Sequence, residues 1–387
     1  MRVLSLKAEG FRNLESISLM PHPERNLIFG NNAQGKTNLL EAIWTCTGCR
    51  SFRGAKEKDY LNLQAQAMHI KLSFENSRRV QEIQIHMARG DGKQKKILLN
   101  HVPLKGGSGL FPQFQCVVFS PDDRELIRSG PEKRRSFMDM CGSQITPAML
   151  GCIRRFDQLT AQRNAVLKQI QLGHAEKRDL ADWDTQLAAH GSLLTCLRFA
   201  YIKKLAAVCE QLYGTITDGK EKLSVKYRSN LFRNSEIPEK PTAEMQQIYY
   251  AQLQKSADDD IRLGFTAKGA GRDDFSCKIG GLSVREFGSQ GQQKSTALVL
   301  KLAQAAVFYE QKDETPIILL DDVMGELDAQ RQKLVYDIVG DMQIFLTTPQ
   351  PESVGQFGKG AVFCIDNGCL IEKTEKNEEP AANAKHE

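Results

Sequence analysis

An α/β domain interrupted by a helical insertion is the fold this chain of 387 residues predicts, and three observations carry it. A glycine loop, "GNNAQGKT" at 30–37, stands after a strand-like apolar run and before a helical one. A second apolar run, "PIILLDD" at 316–322, has the length of a buried strand and ends in two acids. Between them, from about Glu132 to Thr215, apolar residues recur at helical spacing.

Residues 2–19 alternate apolar and polar around "EGFRN", which predicts a hairpin or two short strands, and "NLIFG" reads as a buried strand running into the glycine loop. A helix follows from about Lys36 to Trp44. From Ile70 to Val102, "HIKLSF", "VQEIQIHM" and "KKILLN" alternate again, with "RGDGKQ" as the last turn, so an antiparallel meander is expected. "CVVFSPDD" at 116–123 is a short strand ending in a proline turn.

In the helical stretch, Ile153, Phe156, Leu159, Val166, Leu167 and Ile170 mark one apolar face, and Trp183, Leu187, Leu194, Leu197 and Tyr201 another. "QLGHAEKRD" separates them, which predicts a helical hairpin. A strand at "KLSVKYRSN" and a helix from about Thr242 to Ala257 lead to "FGSQGQQKS" at 287–295, a polar glycine and glutamine stretch before a helix reaching about Gln311. After "PIILLDD" come a helix from about Ala329, the strand "QIFLTT", and a hairpin "AVFCIDNGCLI" with Asn367-Gly368 at its turn. The polar tail "KTEKNEEPAANAKHE" is expected to be disordered. The predicted divisions are 1–130, a mainly helical 131–240, 241–372, and a tail at 373–387.

With 41% hydrophobic and 26% charged residues the chain can bury a sizeable core. A net charge of +5 permits a polyanionic partner without demanding one. No apolar run approaches a membrane span, and "MRVLSLKAEGFRN" lacks a signal peptide's apolar core, so a cytoplasmic protein without a membrane partner is expected. The ten cysteines are scattered, as reduced thiols are. Cys46 and Cys49 in "CTGC" lack a second pair or a histidine at metal spacing, which favours a structural role.

The loop at 30–37 has the spacing of a phosphate cradle. Gly30 and Gly35 let the backbone turn so that N–H groups across Asn31, Asn32, Ala33 and Gln34 face phosphate oxygens, while Lys36 reaches the β and γ phosphates and Thr37 holds Mg2+. An apolar strand ending in Asp-Asp is by itself as well explained by a turn cap. Paired with the loop it completes an ATP site, Asp321 holding Mg2+ through water and Asp322 positioning or deprotonating the attacking water, so that Asp321, Asp322 and Lys36 are the catalytic candidates. The stretch at 287–295 offers unpaired amides and a serine at a helix start, a second anion site. A chain that already has one such site would use the second for another molecule's nucleotide.

In this order, "FRNL", "GNNAQGKTN", "FSPDD", "RDD" followed by "GSQGQQKS", and "LLDDVMGELD" resemble the ABC-type ATPases, more closely their SMC-like branch, and within it the RecF family of recombination mediators. The likeness spans nearly the whole chain. It implies an ABC-type ATPase head, with P-loop, mixed sheet and antiparallel β meander, carrying a helical insertion domain. It implies an ATP-dependent homodimer with ATP between Gly30–Thr37 of one subunit and Ser289, Gln290 and Gly291 of the other. Arg12 carries over as a nucleotide contact, with an exposed turn arginine as the structural alternative, and Asp328 as part of the loop crossing the dimer. A weak DNA-stimulated ATPase that acts on double-stranded DNA at single-strand gaps is implied, with RecR and RecO, and indirectly RecA, as partners.

Three positions depart from the wider pattern. Asp322 stands where most ABC ATPases carry glutamate, a feature that RecF-like chains share. "FLTTP" replaces the switch histidine of transporters, so Thr347 or Thr348 would contact the γ phosphate. "GAGRDD" replaces the family's "GPHRDD", which leaves that turn's role open. For DNA, the candidates are Arg53 and Lys56 in "RSFRGAKEK", Arg78 and Arg79, and Lys93, Lys95 and Lys96. Each cluster alone reads as a solvated face. Together they could form a stripe that grips backbone and junction shape in a salt-dependent way. Two other functions share the motifs, a transporter's nucleotide-binding subunit and an SMC-like scaffold. The first would need a membrane partner, and the second would show no stimulation of turnover by DNA.

Overall fold

The computed structural model describes residues 1–90, 95–232, 237–312, 314–349 and 359–376. Most of the expected "RGDGKQ" turn, including Lys93, lies outside the described residues, and of the tail expected to be disordered at 373–387, residues 373–376 continue a strand while the rest lies outside the described residues. The chain divides into two compact units, 1–123 with 304–387, and 124–303. The boundaries expected from sequence placed 241–303 with the head, whereas this division groups it with the helices.

The first unit opens with β1 (Arg2–Phe11), β2 (Leu14–Leu19), β3 (Arg25–Phe29) and α1 (Lys36–Thr45), then β4 (Ala67–Glu75), β5 (Val80–Ala88), β6 (Lys95–Leu99), β7 (Val102–Pro103) and β8 (Cys116–Phe119). The second holds α2 (Glu125–Arg128), α3 (Pro131–Ile145), α4 (Pro147–Gln171), α5 (Ala181–Ile216), β9 (Leu223–Arg228), α6 (Ala243–Leu263), β10 (Asp274–Ile279), β11 (Leu282–Ser283) and α7 (Val284–Phe287). The chain returns to the first unit within α8 (Gln290–Lys312) and closes with β12 (Ile317–Asp321), α9 (Ala329–Val339), β13 (Ile344–Thr348), β14 (Gly360–Asp366) and β15 (Cys369–Lys376).

The first unit contains two six-stranded sheets. The meander forms one, in the order β2-β1-β4-β5-β6-β7 with every pairing antiparallel, and β4 alternates buried and half-buried residues as a strand with one wet face does. The other runs β15-β14-β3-β13-β12-β8, parallel from β14 to β8 with β15 antiparallel at the edge. Its strands β8, β12 and β13 are buried along their whole lengths, which is why the sequence shows them as unbroken apolar runs. In this order β13 lies between β3, which feeds the glycine loop, and β12, which ends in Asp321.

The second unit packs α4, α5 and α6 around Met149, Phe156, Leu159, Leu187, Leu194, Tyr249 and Leu253. The predicted helical hairpin is α4 and α5, and its two apolar faces supply most of that core. A further helix, α3, precedes it. The chain breaks between α3 and α4 because Pro147 has no amide for a continuing helix but suits a first turn. At the centre Arg163, fully buried, binds Asp184 at 2.5 Å and Asp260 at 2.7 Å, pinning the three helices together. Beside them β9, β10 and β11 form a three-stranded antiparallel sheet. All ten cysteines are free thiols.

Candidate nucleotide site

The glycine loop turns where a side chain could not follow. Gly30 has φ +150°, and a Cβ there would lie 2.2 Å from the Ile365 carbonyl oxygen of β14. Lys36, almost wholly buried, folds its ammonium back on the loop and donates to the carbonyls of Gly30 (2.7 Å) and Asn31 (3.0 Å). Asn31, Asn32 and Ala33 are exposed, so the cradle faces outward. Ala33 takes a left-handed φ of 67°. Its carbonyl accepts from Asn13 Nδ2 at 3.1 Å, and Asn13 Oδ1 in turn accepts from Asn38 Nδ2 at 2.6 Å. The tip of the β14–β15 hairpin closes the other side, Gly368 N–H donating to the Gln34 carbonyl at 3.0 Å and Asn367 N–H to Gln34 Oε1 at 2.5 Å. The loop is thus propped by two distant segments.

Opposite the loop, Asp321 is the meeting point. Its Oδ1 accepts from Thr37 Oγ1 at 2.8 Å and from Thr347 Oγ1 at 3.0 Å. Burial raises the Asp321 carboxyl above the usual aspartate range, and Asp322 adds to that, while the two threonine hydroxyls and Arg53 pull the other way. Asp322 sits at φ 52°, in the left-handed region. Its amide donates to Thr347 Oγ1 at 2.9 Å, and its Oδ1 is buried without a hydrogen-bond partner. The Thr347 hydroxyl, expected near the γ phosphate, bonds the Asp321 carboxylate and the Asp322 amide. Thr348 is buried. A hydroxyl beside a carboxylate is the hard-oxygen donor set that Mg2+ takes, so Thr37 and Asp321 fit the ion.

The remaining candidates fall into three places. Arg12 pairs with the buried Glu41 of α1, Nε to Oε2 at 2.5 Å and Nη2 to Oε1 at 2.9 Å, and lies 5.6 Å over the Tyr60 ring. Arg53 bonds Asn38 Oδ1 at 2.8 Å and stands 4.0 Å from the same glutamate. Lys56 is exposed on the same segment, and Lys95 reaches Glu57 at 2.6 Å with Lys96 exposed beside it. Arg78 and Arg79 are exposed at the opposite end of the meander, at the β4–β5 turn. Lys95 pairs with Met87, seven residues from Val80, so about 23 Å of strand separates the two groups. The basic candidates therefore form two patches.

In the second unit, Ser289 and Gln292 cap α8 reciprocally, Ser289 N–H to Gln292 Oε1 at 2.9 Å and Gln292 N–H to Ser289 Oγ at 3.2 Å. Gln290 and Gly291 are exposed and Ser289 is at the surface beside them. In the "GAGRDD" turn, Asp273 is buried and accepts from Asn230 N–H, Thr195 and Tyr227, and Asp274 pairs with Arg134 at 2.8 Å. In the first unit, Asp328 caps α9 by accepting from Arg331 N–H at 2.9 Å. Sequence reasoning missed Asn13, Asn38 and Asn367 as supports of the loop, and Glu41 as the partner of Arg12. Asn13 and Asn38 directly follow Arg12 and Thr37, the only local signal they give.

Fold and site together define an ATPase head of the ABC type, with the glycine loop and paired acids at the carboxyl edge of a parallel sheet. Residues 2–360 match the RecF/RecN/SMC N-terminal domain family. The chain belongs to the RecF family of DNA replication and repair proteins. It is 36% identical to RecF of Lachnoclostridium phytofermentans, covering 90% of this chain and 92% of that one, and 35% identical to RecF of Desulforamulus reducens, covering 97% and 100%. A solved structure of the recombination mediator protein RecF with ATP in the RecFOR pathway superposes with a TM-score of 0.89 at 30% identity, over 96% of this chain and 97% of the other. An Smc head domain from Pyrococcus furiosus, 13% identical with a TM-score of 0.55 over 97% and 96%, shares the fold. Among the described residues no helix is long and apolar enough to cross a membrane.

Proposed function

We propose that this chain is an ATP-switched DNA-binding protein of recombinational repair, in which ATP closes a homodimer on double-stranded DNA beside a single-strand gap. The observation that carries the reading is the junction at Asp321, where Thr37 of the loop helix and Thr347 of β13 converge on one carboxylate beside the unpartnered Asp322 Oδ1. A solved RecF structure with ATP supports the ligand.

On this reading, ATP phosphates draw the Lys36 ammonium from the Gly30 and Asn31 carbonyls, and the loop amides replace solvent around the phosphates. Bound Mg2+ would supply charge neutralisation between the phosphates. Asp322 has a carboxylate oxygen free to accept a proton or orient water, and its short side chain suits slow turnover. Surface residues Ser289, Gln290 and Gly291, and Asp328, complete the site from a second copy. Arg53, Lys56, Lys95 and Lys96 form the first DNA patch, and Arg78 and Arg79 a second. RecR and RecO, and through them RecA, are the expected partners.

Sedimentation with ATP, with ADP, and with ATP on Ser289→Arg, each with a labelled gapped duplex at low and moderate salt, tests the reading. ATP should yield a DNA-bound dimer, while the variant binds nucleotide and stays monomeric. A wild type that remains monomeric, or dimerises without gaining DNA affinity, overturns it.

A further inference from the structure

The two acids at the end of β12 are held together by a residue from a different strand. Thr347 lies opposite Asp321 in the parallel β12–β13 pairing, and it is 1% exposed. Its one hydroxyl serves both acids at once, donating to Asp321 Oδ1 at 3.0 Å and accepting the Asp322 amide at 2.9 Å. A hydroxyl has one proton and two lone pairs, so this is a consistent and polarised arrangement. Asp322 needs such a hold. Its left-handed φ of 52° is uncommon for a residue with a side chain, although aspartate tolerates it better than most, and a hydrogen bond at its amide holds it there. The Asp322 carboxylate has no hydrogen bond at Oδ1, so no other contact at that atom fixes its direction.

We infer that Thr347 is a positioning residue for ATP hydrolysis: its hydroxyl locks the Asp322 backbone in the conformation that aims the Asp322 carboxylate, and ties that aim to the Asp321–Thr37 pair. This rests on the ATPase reading above. It assigns Thr347 a role through the two acids, with no contact to the phosphate chain. Valine has nearly the shape of threonine and lacks both the donor and the acceptor, whereas serine keeps both.

The test compares wild type with Thr347→Val and Thr347→Ser in three measurements: ATP affinity by calorimetry, steady-state turnover with and without duplex DNA, and amide hydrogen exchange at Asp322 without nucleotide. ATP affinity is expected within about 3-fold of wild type in both variants, since neither changes the loop. Turnover in Thr347→Val should fall by about 10-fold or more with KM little changed, and Thr347→Ser should restore it to within about 3-fold. Exchange at Asp322 should be at least about 5-fold faster in the valine variant only, from loss of one hydrogen bond. Wild-type turnover in Thr347→Val overturns the inference, as does an Asp322 amide that exchanges alike in all three proteins. If valine compromises folding, the serine variant still decides, because loss of turnover in a folded Thr347→Ser also overturns it. Absence of turnover in the wild type under every condition refutes the hydrolytic reading itself, and the exchange measurement then tests the backbone lock on its own.

Discussion

Gly368 is the position where the smallest change should reach the nucleotide site. It sits at φ +75° at the tip of the β14–β15 hairpin, and a Cβ there would lie 2.0 Å from the Asn13 carbonyl oxygen and 3.3 Å from Leu14 Cα. Those are backbone atoms of the "FRN" turn and cannot rotate away. Gly368→Ala therefore carries a left-handed backbone cost of about 1 kcal/mol, plus overpacking of about 1–3 kcal/mol. The tip can relieve the clash by lifting, at the loss of the two hydrogen bonds to Gln34, about 1 kcal/mol each. That escape caps the total near ~3 kcal/mol, equivalent to roughly 6–12 °C in Tm for a unit of this size. Gly54 provides the control, since its φ is +74° and a Cβ there would meet nothing within 4 Å, so Gly54→Ala isolates the backbone cost alone. Calorimetric unfolding of both variants, with ATP affinity measured alongside, separates the contributions. Release of Gln34 should weaken ATP binding in Gly368→Ala by about 10-fold, which is about 1.4 kcal/mol. Equal Tm values for the two variants, with unchanged ATP affinity, would refute the claim that the hairpin tip braces the loop.

Two further outcomes follow from buried charge. Burial raises the Asp321 carboxyl in the folded state, so its ionised form opposes folding at neutral pH and ceases to do so below the unfolded value of 3.8. Asp321→Asn should then raise the Tm of the nucleotide-free protein near neutral pH, by an amount that narrows as pH falls, while abolishing the Tm gain from Mg2+ and ATP; thermal scans across pH would read both. Arg163→Met leaves Asp184 and Asp260 without their shared cation in the second unit's core, at a cost of about 3–5 kcal/mol near neutral pH. Burial already raises the Asp184 carboxyl, so protonation should recover part of that loss at about pH 5; denaturant titrations at the two pH values that show equal losses would contradict this.

Patterns contained within one element and its flanks were legible along the chain. The glycine spacing at 30–37, the unbroken apolar strand before Asp321, the Asn367-Gly368 hairpin turn and the two helical faces are local features set by backbone periodicity and turn geometry. The break at Pro147 was equally local, but a continuous helical period masked it. The partner of each side chain was a different matter. Thr37 and Asp321 are 284 residues apart, and the contact of Thr347 with the Asp321 carboxylate depends on β13 lying between β3 and β12. The sequence likewise held no sign of the partner of Arg12, whose guanidinium the turn places against Glu41 of α1. For the basic residues of the meander the chain order gives no distances, and the strand length between their turns sets how far apart they lie. These outcomes belong to the tertiary structure because sheet order and strand register decide which polar groups share a buried site, and no single element records them.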